Sequence, residues 1–182
     1  MSSFPEISFI HILDQYYLAL HDRDQAEKLA QHEFIVSYII VPLHVLEESS
    51  CAADEKFCPH SLSEIYEFDG IIRKVEMVSG RENIVFCSDP RPVSVARSVF
   101  LIGCHIMMHQ DLTPDDIYKA FEPLQHMLET VVGGDHWSLL SCWRALNSAK
   151  SHGWVDFEHS FKAESGIADD EPLIEEYLHY AR

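Results

Sequence analysis

Apolar positions alternate with two different rhythms along the chain. Three stretches are short and dense in branched or aromatic residues, as strands are. These are Ile12 to Leu20 (ILDQYYLAL), Phe34 to Val41 (FIVSYIIV, stopped by Pro42) and Asn83 to Cys87. The last is short and apolar in the way of a central parallel strand. Between them, His21 to Gln31 is charged and reads as a loop or helical turn. Leu43 to Cys58 is acidic and irregular, with a short helix at VLEES.

The helical rhythm dominates the rest. Ser61 with Glu64 three residues later is a capping-box pattern. After it Leu62, Ile65, Tyr66, Ile72 and Val75 share a face, with Gly70 weakening the middle and Gly80 supplying the stop. From about Ser94 a second helix is expected, with Val95, Val99, Ile102 and Ile106 on one buried stripe. Thr113-Pro114-Asp115-Asp116 is a helix start, with a capping threonine, proline at the first helical position and acids in the first turn. Pro123 interrupts that helix, and Leu124 to Val132 begins another before the Gly133-Gly134 break. Ser138 to Ser151 is a long helix with Leu139, Leu140, Cys142, Trp143, Leu146 and Ala149 inside, ended by Gly153. Trp137, Trp143 and Trp154 are expected to pack into its core. An acidic helix is expected over about 172–180. No repeat or linker divides residues 1–182, so one α/β domain with a central, mainly parallel sheet packed by helices is expected.

Composition narrows the partners. The formal net charge is −17, which repels phosphate backbones and argues against nucleic acid and anionic membrane. A basic peptide or protein surface suits it. The odd set Cys51, Cys58, Cys87, Cys104 and Cys142 contains no C-x-x-C pair, which points to reduced thiols in the cytoplasm or nucleus. No signal peptide is evident, and the apolar run from Ser98 to Met108 is shorter than the ~20 residues of a membrane span.

The candidate chemistry lies in IVFCSDPRPVSVARSVFLIG, from Ile84 to Gly103. It reads as a strand, a seven-residue polar loop and a buried helix, with Cys87 where strand meets loop. A cysteine-dependent phosphatase presents its thiolate to phosphate at a helix N-terminus in this way. That chemistry needs C-x5-R followed by Ser or Thr: the thiolate attacks phosphorus and the arginine clamps two oxygens. Here the sixth residue after Cys87 is Val93, followed by Ser94. Pro90 and Pro92 have no N–H to offer, and Asp89 puts a negative charge against a dianion. Each lost donor removes about 2–4 kcal/mol of transition-state stabilisation. No other cysteine restores the pattern, since Phe57, Glu64, Gln110 and Ser148 stand six residues after the rest. Arg91 is inside the loop and Arg97 a turn down the helix. Catalysis by Cys87 is therefore not expected.

The likeness extends beyond the loop. VFLIGCHIMMHQDLTPDDIYKAF, SLLSCWRALNSAKSHGWVDF, EEYLHYAR and, upstream, KFCPHSLSEIYEF occur in this order. They resemble segments of the N-terminal domain of the cell-division-cycle-fourteen dual-specificity phosphatases, the mitotic-exit family. That resemblance implies the first of two tandem phosphatase-like domains. It is the domain without a working phosphate loop, and it helps form an acidic groove selecting basic residues beside a phosphoserine-proline site. It also implies that Arg182 lies about where a connecting helix leads to the catalytic domain. One departure is EPLQHMLETVVGGDHW, which stands where the family has a proline-rich loop.

The expected role is then a non-catalytic domain giving substrate recognition or scaffolding to a phosphatase acting on cell-cycle proteins. Its partner would be a basic or phosphoserine-proline substrate, or a catalytic phosphatase domain. Alternatives are a stand-alone pseudophosphatase module, an atypical cysteine phosphatase using Cys87, and a metal-dependent hydrolase. For substrate contact the acidic tail offers Asp169, Asp170, Glu171, Glu175 and Glu176. His105 and His109, one helical turn apart, have metal-binding spacing. No third ligand stands at a recognisable spacing, so neither metal nor other cofactor is expected.

Overall fold

A computed structural model describes residues 9–22, 24–25, 38–43, 57–79, 83–132 and 138–156. Four strands, β1 (Phe9–Leu13), β2 (Tyr16–Leu20), β3 (Tyr38–Pro42) and β4 (Asn83–Ser88), form one sheet in the order β1-β2-β4-β3. The helices are α1 (Leu62–Ser79), α2 (Pro92–His109), α3 (Pro114–Ala120), α4 (Gln125–Val132) and α5 (Leu139–Ser151). A short 3-10 turn, Glu122–Leu124, joins α3 to α4. The domain is mixed α/β, as the two rhythms imply. β2 and β3 both run parallel to β4, and β1 runs antiparallel to β2.

The single strand expected over Ile12 to Leu20 is instead a hairpin. Asp14 and Gln15 make its turn, with Asp14 at φ +47. Aspartate tolerates this left-handed conformation better than most residues. His11 Nε2 lies 3.0 Å from the Asp14 carbonyl and ties the turn down. The strand of Phe34 to Val41 is described only from Tyr38, where it runs through Pro42.

The capping box expected at Ser61 forms, and the Thr113 cap turns out to be a second one. Ser61 N–H donates to Glu64 Oε2 at 2.7 Å, and Glu64 N–H donates to Ser61 Oγ at 3.3 Å. Thr113 and Asp116 exchange the same pair of bonds at the start of α3. Ser138 caps α5 by accepting from Ser141 N–H at 3.0 Å. Gly153, at φ +70, follows the helix end at a conformation that favours glycine.

α2 is the hub. Residues 94–108 are all buried, so the helix is covered nearly all round instead of along one stripe. By length and composition it could cross a membrane, yet 78% of it is buried inside the protein. One core joins α2 to Leu18, Ile84 and Phe86 of the sheet and to Phe68, Ile117, Leu128 and Trp143 of the other helices. Ala19, Val85 and Cys87, the alternate residues of β2 and β4, form a separate small cluster. A strand turns successive side chains to opposite faces, so the described helices pack on one face and Cys87 points to the other.

Trp143 is fully buried and its Nε1–H donates to the Phe100 carbonyl at 3.1 Å. Trp154 does not join it: it is 72% exposed and its ring lies against His152. The residue sits after Gly153, where the chain has already turned off the helix. Leu140, Cys142 and Ala149 are only partly buried. Trp137, Gly80, the Gly133-Gly134 break, the VLEES segment, most of His21 to Gln31, Cys51 and the helix expected over 172–180 lie outside the described residues.

Candidate functional site

The loop after β4 is shorter than its composition suggests. Ser88 continues the strand opposite Leu20, and α2 begins at Pro92, leaving only Asp89, Pro90 and Arg91 between them. Proline suits the first helical position because its fixed φ is helical and no N–H is needed there. So Val93 and Ser94 belong to the helix, and the seven-residue loop contracts to three.

Cys87 lies within β4, opposite Ala19 on one side and Pro42 on the other, and is 2% exposed. It is not at the mouth of the loop. Burial pushes its thiol up to about 11 from 9.0. A phosphatase nucleophile needs the opposite shift. Asp89 Oδ1 accepts from the Arg91 backbone N–H at 2.9 Å and from its Nε–H at 2.7 Å. The carboxylate thus occupies the N–H of Arg91, the only loop residue between the two prolines, and faces the nearest guanidinium. Desolvation is the largest single influence on Asp89 and opposes its ionisation, but the bonds and charge of Arg91 together outweigh it and hold its pKa below the usual value. Arg97 is buried further along α2, within electrostatic reach of His60. Ser98 Oγ donates to Ser88 Oγ at 2.8 Å beneath the strand end. The acidic candidates Asp169, Asp170, Glu171, Glu175 and Glu176 lie outside the described residues.

A second polar cluster is buried on the helical side of the sheet. His105 and His109 both face α1, and there they meet Asp69. His105 Nδ1 lies 2.8 Å and His109 Nε2 2.6 Å from the same oxygen, Asp69 Oδ1. The other nitrogen of His105, Nε2, lies 3.2 Å from Glu76 Oε1 and 3.3 Å from the Tyr16 hydroxyl. Tyr16 also donates to Glu76. Side-chain exposure is 3% for Asp69, 1% for His105, 20% for His109 and 25% for Glu76.

The electrostatics of this cluster are set by burial against pairing. Desolvation disfavours the imidazolium of His105, but hydrogen bonds to Asp69 and Glu76 outweigh it and raise its pKa. Desolvation likewise opposes the carboxylates of Asp69 and Glu76, and their histidine contacts overcome it and lower both. Tyr16 is raised by burial and by the Glu76 charge.

The reading that no third ligand accompanies the histidine pair is therefore corrected: Asp69, 36 residues upstream of His105, completes a group of three. A signal was present in the sequence. Leu62, Ile65, Asp69, Ile72 and Glu76 recur at helical spacing, so two acids sit on an otherwise apolar stripe. Acids there must be buried, and buried acids must be paired.

The described residues form a mixed α/β domain, and comparison with known families relates it to phosphatases. Residues 12–149 match the family described as "Dual specificity protein phosphatase, N-terminal half". The match runs from β1 into α5 and covers most of the chain, so the chain belongs to that family. No individual curated protein matches it.

Proposed function

We propose that this chain is a non-catalytic recognition or scaffolding domain of a dual-specificity phosphatase, of the mitotic-exit type. Cys87 carries the reading. The one cysteine in register with a phosphate loop is buried in a strand, and its thiol is raised to about 11. At neutral pH almost none of it is thiolate. Val93 stands at the arginine position, Pro90 and Pro92 have no N–H, and Asp89 takes the N–H of Arg91. The family match to an N-terminal half supports a domain that works beside a catalytic one. The net charge of −17 supports a basic partner, such as residues flanking a phosphoserine-proline site in a cell-cycle protein. The odd cysteine set with no C-x-x-C pair supports a cytoplasmic or nuclear setting.

The test uses one basic phosphoserine-proline peptide and its unphosphorylated twin. Both are expected to bind with similar affinity, to weaken as salt rises, and to keep their phosphate. Binding that requires the phosphate and is lost on mutating Arg91 would overturn the recognition reading. Phosphate release that stops in Cys87→Ser would overturn the non-catalytic one.

A further inference from the structure

The loop does not use the cluster on the other side of the sheet, and neither does the proposed recognition role. Two imidazole nitrogens and a carboxylate oxygen, drawn from two helices, converge there, and the candidate ligand atoms all lie within 4.8 Å of one another. We propose that Asp69, His105 and His109 bind one divalent transition-metal ion, zinc by the chemistry of the donors, and so clamp α1 to α2.

Geometry comes first. In a tetrahedral site with metal–ligand bonds of about 2.0–2.1 Å, neighbouring ligand atoms stand about 3.3 Å apart. The two nitrogens lie 2.8 and 2.6 Å from Asp69 Oδ1, so an ion requires them to open by about 0.5–0.7 Å, within the reach of side-chain adjustment. His105 and His109 are held on one face of α2 by their helical spacing, and the helix itself is fixed by burial on every side. The site is thus carried on rigid elements.

The supporting shell is also built. A metal on His105 Nδ1 leaves Nε2–H to donate to Glu76, and Glu76 is itself held by the Tyr16 hydroxyl. Carboxylates placed this way behind a ligating histidine fix its tautomer and strengthen it as a ligand. Charge balance points the same way. Asp69 and Glu76 bring two negative charges into a mostly dry site, and a dication neutralises both without any proton on the histidines. The set has nitrogen and oxygen donors and no thiolate, which suits zinc and its neighbours better than copper(I). His109 supplies access: it also lines an open cavity of about 410 Å³ with Gln110, Asp111, Lys150 and Asp156. Water from that side can fill the fourth position.

The experiment uses the full chain, stripped with a chelator and titrated with zinc and with cobalt(II). Expected are one equivalent bound, visible cobalt absorption of a four-coordinate ion, and a rise in melting temperature with metal. Glu76→Gln, which removes only the partner behind His105, is expected to weaken binding about 10–100-fold. His109→Ala and Asp69→Asn are expected to weaken it more, while His152→Ala, an exposed histidine elsewhere, changes nothing. Side-chain nitrogen spectra of the wild type need no variant to fold. Zinc is expected to shift His105 and His109 and leave the other histidines in place. Absence of stoichiometric binding, binding unaffected by His109→Ala and Asp69→Asn, or shifts confined to other histidines would each overturn the proposal.

Discussion

One oxygen of Asp89 accepts two hydrogen bonds from Arg91, one from its backbone and one from its side chain. The acid thereby takes the Arg91 N–H that an anion at this loop would need, and the neighbouring guanidinium is turned onto it. Arg91 is exposed, so the pair adds about 0–1 kcal/mol to stability. Asp89→Asn is expected to leave the unfolding midpoint nearly unchanged. Any affinity for inorganic phosphate should also rise about fivefold, the size of one removed like charge in a wet site. Phosphate titration by calorimetry checks this, and unchanged affinity would mean the carboxylate does not guard the loop.

Gly103 is where α2 meets the ring of Trp143. A Cβ at Gly103 would stand 2.3 Å from Trp143 Cζ2, 2.6 Å from Cε2 and 2.9 Å from Nε1. The ring is fully buried and bonded to the Phe100 carbonyl, so it has nowhere to retreat. Gly103→Ala is expected to cost about 3 kcal/mol through overpacking, although alanine is the better helix former. Urea unfolding measures it. A neutral or stabilising result would show that α2 and α5 do not pack at this distance.

Cys87 should respond to pH in a definite window. The folded thiol titrates near 11 against an ordinary 9.0, so the folded state holds this proton more tightly. The stability it contributes is complete below pH 9 and is lost as the pH rises through 11, about 2–3 kcal/mol in all. Wild type minus Cys87→Ala isolates that slope from the lysines and tyrosines that titrate nearby. In native protein at pH 8, iodoacetamide is expected to label the exposed Cys58 well before Cys87. Rapid labelling of Cys87 would show a reachable, activated thiol.

Local features were legible and distant ones were not. The capping box of Ser61 with Glu64, and the threonine, proline and acids from Thr113 to Asp116, declare their helix starts because each signal needs only four residues. The turn at Asp14 was missed because no glycine or asparagine marks it. The loop after Cys87 looks seven residues long in sequence because its polar letters continue into a helix that begins on Pro92. The histidine pair was visible as an (i, i+4) spacing, but Asp69 arrives from another helix, and only packing places it there. Trp154 was assigned to the core by its residue type, yet the turn at Gly153 carries it into solvent. Cys87 is the sharpest case. Its spacing to Ser94 suggested a nucleophile, while its exposure of 2% and its partners in the sheet could come only from the fold.

Cys87 is expected to do no chemistry, and single-turnover kinetics can show it. Protein in excess over an aryl phosphate is compared as wild type, Cys87→Ser and Val93→Arg. All three are expected to release phosphate at the buffer rate. The arginine alone should not help, because Pro90 and Pro92 still offer no N–H and the thiol stays buried. Release by the wild type above background that vanishes in Cys87→Ser would contradict the account.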